Sequence, residues 1–230
     1  MNQTLYLYRY YKEGLNPFRS TSNLNDNEII HFMEKHFPTH SWFHANPKKR
    51  IDSRRKIESW LHHQFLLSGG KPQTKHPCYF TLGESSFLKE FGCYEGNPRE
   101  VKIPLSTFSS RNISFTYPDS FFSEWLSCNK GHALYNNELN GKVFALEEML
   151  VLLKNKVIPN NVYMDTPLYK FHFYVEAQVW DYNLLDTLKI WQIIAPEITP
   201  LRSVIPVNSN VISTDILLKL SALAGHDEPL

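Results

Sequence analysis

The stretch KFHFYVEAQVWD, residues 170–181, carries polar side chains at alternate positions. Successive side chains of a β-strand point to opposite faces, so this spacing predicts a strand with two different faces. The first face is apolar and consists of Phe171, Phe173, Val175, Ala177 and Val179. The second presents Lys170, His172, Tyr174, Glu176, Gln178 and Trp180. A carboxylate on such a face stabilises positive charge that develops on a reacting atom, and an amide beside it orients a reacting group. Glu176 and Gln178 are therefore the candidate catalytic residues.

Two earlier stretches supply side chains that suit a phosphorylated, aromatic ligand. LYLYRYY, residues 5–11, alternates as a strand does and places Arg9 within an aromatic run. An arginine offers a forked pair of donors to a pyrophosphate or ribose oxygen. PCYFTLGESSFLKEFG, residues 77–92, predicts a strand followed by a short helix and contains Tyr79, Thr81 and Ser85. The ring of Tyr79 suits stacking against a flat heterocycle.

These three stretches together resemble the motifs of the ADP-ribosyltransferase superfamily, in particular its bacterial toxin branches. LYLYRYY resembles the first strand, where an Arg or His holds NAD. PCYFTLGESSFLKEFG resembles the second motif, in which a Tyr or a Ser-Thr-Ser element precedes a helix. YVEAQVWDYNLLDTLKIWQI resembles the third motif, a Glu on a strand followed by a hydrophobic phrase.

The resemblance implies a toxin that transfers ADP-ribose from NAD to a macromolecule and releases nicotinamide. Cleavage of the nicotinamide–ribose bond builds an oxocarbenium-like ribose, as in glycoside chemistry. Glu176 is then the catalytic carboxylate, with Gln178 beside it. Arg9 is the NAD anchor, Tyr79 is the nicotinamide platform, and Thr81 and Ser85 support the bound NAD. NAD serves as a substrate, no metal is expected, and an antitoxin or inhibitor protein is an expected partner.

The sequence departs from the family pattern in two places. Position 174 is Tyr, so the Glu-x-Glu pattern typical of arginine-directed members is absent. The literal Ser20-Thr21-Ser22 lies only eleven residues after Arg9, in a loop ahead of a helix, and is interpreted as a chance match.

A basic cluster opens the predicted second helix and consists of Lys48, Lys49, Arg50, Arg54 and Arg55. Positive charge at a helix start opposes the helix macrodipole, which favours a polyanion contact over a purely solvated surface. We therefore expect a nucleic-acid acceptor, DNA or RNA, in preference to a protein. The phosphates of NAD are the other candidate anion.

Two alternative functions stay open on the sequence. Arg55 and His62 fit the loose Arg-x(4–6)-His spacing of the helical ribonucleases called HEPN domains, with His as general base and Arg on the phosphate. The aromatic strand face also suits a non-enzymatic module that binds a nucleotide or a peptide.

Composition places the chain among ordinary soluble globular proteins. It has 230 residues, 42% hydrophobic and 20% charged, and a formal net charge of +1, which excludes attraction of its whole surface to nucleic acid. Three scattered cysteines and the absence of a secretory signal predict a reducing, cytoplasmic location.

Periodicity and capping signals predict an α+β fold that forms a single domain over residues 1–230. By the resemblance, it is an ADP-ribosyltransferase-like split β-sheet core with an N-terminal helical insertion and a C-terminal helix. Helices are predicted at 25–36 with Asn25 and Glu28 as a capping box, at 53–67 with Gly69-Gly70 as the stop, at 85–92, at 120–128 with Asp119 or Ser120 as the cap, and at 213–225. Residues 141–156 are predicted to turn from a short strand into a helix. Strands are predicted at 5–11, 77–83, 99–105, 112–118 and 170–181. Residues 184–194 are apolar and ambiguous.

Overall fold

The computed structural model describes residues 4–36, 47–85, 88–89, 98–158 and 174–194. Five β-strands and five α-helices lie within these ranges. The strands are β1 (Tyr6–Lys12), β2 (Cys78–Leu82), β3 (Pro98–Pro104), β4 (Ile113–Thr116) and β5 (Glu176–Val179). The helices are α1 (Asp26–His36), α2 (Pro47–Leu67), α3 (Ser120–Cys128), α4 (Leu146–Lys154) and α5 (Tyr182–Ile194).

The strands form one sheet in the order β3-β1-β2-β5-β4, and every neighbouring pair is antiparallel. Helices α1 and α2 lie between β1 and β2, and α3 and α4 lie between β4 and β5, so helices and strands do not alternate one by one as in parallel βαβ units. The predicted α+β class is therefore confirmed. The more specific ADP-ribosyltransferase core is taken up below as a proposal.

One face of the sheet builds the main hydrophobic core. Leu7, Phe80, Phe115, Ala177 and Val179 lie on it and are at most 2% exposed. Helices α3, α4 and α5 add buried side chains to the same core, among them Leu126, Met149 and Leu185. Burial of this apolar area is the principal stabilising contribution to the sheet.

Helix α2 covers part of the other face through a smaller apolar cluster. Leu61 and Phe65 pack against Trp180, which directly follows β5, and all three side chains are fully buried. A second small cluster joins Ile51 of α2 to Ile29 and Met33 of α1. The long helix is thus held by apolar contacts near each of its ends.

Local signals placed most helix ends correctly. Asn25 caps α1 by accepting from the Glu28 N–H, and the Glu28 carboxylate accepts in return from the Asn25 N–H, as the capping box predicts. Asp119 caps α3 by accepting from the Phe122 N–H at 2.9 Å. Helix α2 ends at Leu67, and Gly69 follows with φ +87°. Its N–H donates to Leu66 and that of Gly70 to Phe65, which is the helix stop predicted from the two glycines.

Some predicted elements differ from the structure or fall outside it. Helix α2 begins at Pro47, six residues before the predicted start, because proline suits the first helical position. Residues 184–194, ambiguous in sequence, belong to α5. Residues 170–173 of the predicted strand, most of the predicted helix at 85–92 and the predicted helix at 213–225 lie outside the described residues.

The chain divides into two units, residues 1–193 and residues 194–230. All the strands described above belong to the first unit. Apart from Ile194, the second unit lies outside the described residues, so the single domain over 1–230 stays a prediction. No helix in the described ranges combines the length and the apolar character needed to cross a membrane.

Candidate functional site

The sheet register places four of the predicted site residues on one face. Tyr79 lies opposite Gln178, and Thr81 lies opposite Glu176. Directly opposed residues of an antiparallel pair share a face, and residues two apart on one strand share it too. Tyr79, Thr81, Glu176 and Gln178 therefore form a square on the face that α2 covers, and we call this the polar face.

Glu176 is nearly buried, with 4% of its surface exposed. Its Oε1 accepts from the Gln178 amide at 3.0 Å and from the Ser120 N–H at 3.3 Å, and its Oε2 from the Tyr174 hydroxyl at 3.5 Å. Burial, and next the negative charge of Asp119, raise the pKa of Glu176, while Arg54 and the two Oε1 donors oppose that rise. The carboxyl group is fixed in position, and its ionised form is less favoured than in water.

Gln178 holds Glu176 in place. Its side chain has no exposed surface, and its oxygen accepts from the Ser114 hydroxyl at 2.9 Å. Its nitrogen donates to Glu176 and to the Thr116 hydroxyl at 3.1 Å. Ser114 in turn accepts from the indole N–H of Trp180 at 2.9 Å. Both ends of the amide are bonded to protein, so in this arrangement Gln178 orients the carboxylate.

Tyr79 reaches from β2 to a buried carboxylate on α2. Its hydroxyl donates to Glu58 Oε1 at 3.1 Å. Glu58 is fully buried, accepts from the Ser22 hydroxyl at 2.8 Å and lies 2.6 Å from Nδ1 of the buried His76. Burial raises the pKa of the Tyr79 phenol well above 10, so the hydroxyl stays protonated at neutral pH and serves as a donor.

Arg54 enters the polar face from α2. Its guanidinium lies 4.7 Å from the centre of the Tyr79 ring and 4.9 Å from that of Phe121. Although burial disfavours its charged form, Tyr79 and the carboxylates of Glu176 and Glu58 together raise the pKa of Arg54 above its ordinary value. Arg54 is thus a cation close to the candidate catalytic carboxylate, and its predicted contact with nucleic acid stays a prediction.

Arg9 lies on the opposite face from Glu176. In β1 it follows Tyr8, which is paired with Thr81, so alternation turns Arg9 toward the face of Leu7 and Phe80. Its guanidinium donates to the Tyr79 carbonyl at 2.8 Å, to the Cys78 sulfur at 2.9 Å and to the Arg19 carbonyl at 3.0 Å. Arg9 thus braces the strand that carries Tyr79, and its predicted contact with NAD stays a prediction.

Thr81 and Ser85 make local backbone contacts at the end of β2. The Thr81 hydroxyl donates to the Gly83 carbonyl at 2.9 Å. The Ser85 hydroxyl accepts from the Leu88 N–H at 3.2 Å, and its own N–H donates to the Tyr10 hydroxyl at 3.2 Å. Thr81 shares the polar face with Glu176, and the contacts of Thr81 and Ser85 with NAD are likewise untested predictions.

The basic cluster divides between surface ion pairs and the interior. Lys48 and Arg55 both pair with Asp26, at 3.0 Å and 3.2 Å, and so link α2 to α1. Lys49 is exposed and Arg50 is half-buried. Arg54 is directed to the polar face, and Arg55 is bound to α1. Contact of the cluster with nucleic acid stays a prediction.

The HEPN alternative finds little support in this geometry. Arg55 donates to backbone carbonyls of residues 22 and 24 as well as to Asp26, while the His62 ring packs edge-on against Trp180 at 5.5 Å. The two side chains therefore have separate partners. The chain also contains a five-stranded sheet, whereas HEPN domains are helical.

Sequence reasoning missed Glu58, His76 and Ser22, which are connected to the polar face through the hydroxyl of Tyr79. Glu58 had a usable signal, because it falls at helical spacing among Ile51, Leu61 and Phe65 of the buried stripe of α2. A carboxylate in such a stripe needs buried partners, and His76 and Ser22 supply them. Ser22, dismissed with the Ser-Thr-Ser match, thus contacts the site through Glu58.

The polar face thus brings a fixed carboxylate, two aromatic rings and the Arg54 cation close together. In the described ranges, no three His, Cys, Asp or Glu side chains are grouped as a metal site. Comparison with known protein families, with curated proteins and with solved structures found no match to the chain.

Proposed function

We propose that the chain is an NAD-dependent mono-ADP-ribosyltransferase, a glycosyltransferase that releases nicotinamide and passes ADP-ribose to a macromolecular acceptor. The observation that carries the proposal is Glu176, a carboxyl fixed by Gln178, Ser120 and Tyr174 on the same sheet face as the ring of Tyr79. Glu176 belongs to the third motif of the resemblance and Tyr79 to the second, so their shared sheet face supports both motifs.

The chemistry assigns each group on the polar face a task. The bond between the ribose and nicotinamide breaks, its electron pair leaves with nicotinamide, and positive charge develops on the ribose. Ionised Glu176 stabilises that charge and accepts a hydrogen bond from a ribose hydroxyl. Tyr79 supplies a ring for the nicotinamide. The acceptor nucleophile then bonds to the ribose and loses its proton. Gln178 acts as a positioning residue that keeps Glu176 in place.

The acceptor and the partners follow from the charged surface and from the resemblance. We propose a nucleic-acid acceptor, with Lys49 and Arg50 of the α2 start as its phosphate contacts. As a toxin, the chain would require an inhibitor protein in the cell that makes it. Mass spectrometry of cellular DNA, RNA and protein after brief expression identifies the acceptor by the added ADP-ribose.

Replacement of Glu176 tests the proposal. Incubation with NAD should release nicotinamide, and Glu176→Gln should reduce the rate about a hundredfold or more, because the substitution removes the charge that stabilises the ribose. Glu147→Gln is the matched control, since Glu147 is exposed on α4, and it should keep the wild-type rate. Unchanged nicotinamide release by Glu176→Gln contradicts the assignment.

A non-enzymatic binding module is the second candidate. The observation in its favour is that Glu176 is 4% exposed while Arg54 lies over the ring of Tyr79. A binding module needs only a suitable recess, whereas an enzyme must admit its substrate to the carboxylate. Calorimetric binding of NAD without nicotinamide release, across the nucleic-acid and protein acceptors tried, favours the module.

A further inference from the structure

Arg54 contacts two aromatic rings that come from different elements. Tyr79 projects from β2, and Phe121 belongs to the first turn of α3. The ring centres are 4.7 Å and 4.9 Å from the guanidinium carbon. Both distances lie within the range of a favourable cation–π contact, so both rings contact the same planar cation, and we call this pair of rings the clamp.

Two carboxyl groups contribute negative charge to this recess. Glu58 is fully buried and bonds the Tyr79 hydroxyl, and Glu176 is 4% exposed on the neighbouring strand. A buried carboxylate is more stable beside a cation than beside an uncharged group. The recess therefore selects for positive charge as well as for a flat shape.

Arg54 differs from the other basic residues at the start of α2. Lys48 and Arg55 form ion pairs with Asp26 at the surface, and Lys56 is exposed. The side chain of Arg54 reaches the sheet at Tyr79. The packing of α2 rests on Ile51, Leu61 and Phe65 instead, so the helix has apolar anchors on each side of residue 54.

We propose that Arg54 is an internal ligand: its guanidinium fills, against Tyr79 and Phe121, the place of a planar cation from outside the chain. The site accepts that cation only when Arg54 withdraws. The class of ligand is a flat monocation of one aromatic ring, and its identification with the nicotinamide ring of NAD rests on the proposed function. In this arrangement Arg54 competes with the ligand and lowers the affinity of the free protein for it.

The experiment measures binding of 1-methylnicotinamide, a planar monocation, by calorimetry. Wild type should bind it weakly, because Arg54 competes from within. Arg54→Ala should bind it about tenfold more tightly, since removal of the guanidinium opens the clamp while leaving both rings. Lys56→Ala is the control, for it removes one positive charge from an exposed position of the same helix, and it should match wild type. The double variant Arg54→Ala/Phe121→Ala should lose the gain.

Arg54→Lys keeps the experiment decisive if the alanine variant does not fold. Lysine retains a positive charge near Glu58 and Glu176 but lacks the plane that fills the clamp. It should bind the probe more tightly than wild type, by a smaller factor than alanine. If the folded variants bind no more tightly than wild type, the proposal is overturned.

Nicotinamide release from NAD, measured on the same variants, separates this inference from the proposed function. Tighter probe binding by Arg54→Ala without turnover by any variant supports the internal ligand and contradicts the enzyme. Turnover by wild type with unchanged probe binding by Arg54→Ala supports the enzyme and overturns the internal ligand.

Discussion

Glu176 carries a conflict between function and stability. A carboxylate that stabilises a developing cation must ionise, yet burial and Asp119 raise its pKa. The unfolded chain loses this proton at lower pH than the folded one does. As pH rises above the ordinary value, ionisation therefore favours the unfolded state, and the stability of the fold decreases.

Glu176→Gln should consequently raise the thermal unfolding temperature at pH 7 by a few degrees. The neutral amide carries no charge to bury, and it retains an oxygen that accepts from Gln178 and Ser120. At pH 4 the difference should shrink, because both the folded and the unfolded wild type then hold more of their protons. Thermal denaturation of the two proteins at both pH values measures this. An equal or larger gain at pH 4 contradicts the assigned direction of the pKa shift.

The sequence predicted that Glu176 and Gln178 share one strand face, because strand alternation depends only on neighbouring residues. The sequence did not predict that Arg54 turns inward, because a run of basic residues on a helix does not indicate which side chain faces the interior. It also could not show that Arg9 and Glu176 point to opposite faces. That outcome depends on the register between β1, β2 and β5, whose pairing joins residues far apart in the chain.

At the scale of elements, the N-terminus of α3 meets the strand that carries Glu176. Asp119 caps the helix, and the next N–H, that of Ser120, donates to Glu176. Asp119 and Ser120 thus lie at the start of α3 and also act on Glu176, Asp119 through its charge and Ser120 through its N–H. The cap was predicted from sequence, whereas its proximity to Glu176 follows from the placement of α3 beside β4 and β5.

Two replacements of Asp119 separate these roles. Asparagine caps helices as well as aspartate, so Asp119→Asn should keep the stability of α3 while lowering the pKa of Glu176 through loss of the negative charge. Asp119→Ala should lower that pKa too and also destabilise the protein by about 1 kcal/mol through loss of the cap. Carbon-13 NMR titration of glutamate carboxyls and thermal denaturation measure the two effects. A Glu176 pKa that stays unchanged in both variants contradicts the role given to Asp119.

At the scale of the whole molecule, the two faces of the sheet are covered differently. A large apolar core fills one face, whereas α2 crosses the other over a polar region flanked by two small apolar clusters. Fewer buried apolar contacts mean a smaller free energy of local opening. The layer formed by α2 is therefore the part of the described structure best suited to admit a ligand.

Hydrogen exchange should show this difference directly. Amides in the middle of α2 should exchange faster than those of β2 and β5, whose strands lie inside the sheet. Raising the salt concentration should increase exchange in α2 further, because the exposed Lys48–Asp26 pair that joins α2 to α1 is screened. Mass spectrometry of peptic fragments measures both effects. Equal protection of α2 and the central strands contradicts the weaker hold on α2.

Trp180 gives this layer an optical signal. Its indole has no exposed surface, stacks on Phe65 of α2 at 5.9 Å and donates to Ser114 of β4. Lifting α2 uncovers the ring on one side while β4 still holds its nitrogen. Opening of the polar face should then appear as red-shifted tryptophan emission and easier quenching by a water-soluble quencher, so that entry of a ligand can be timed in solution without an attached dye.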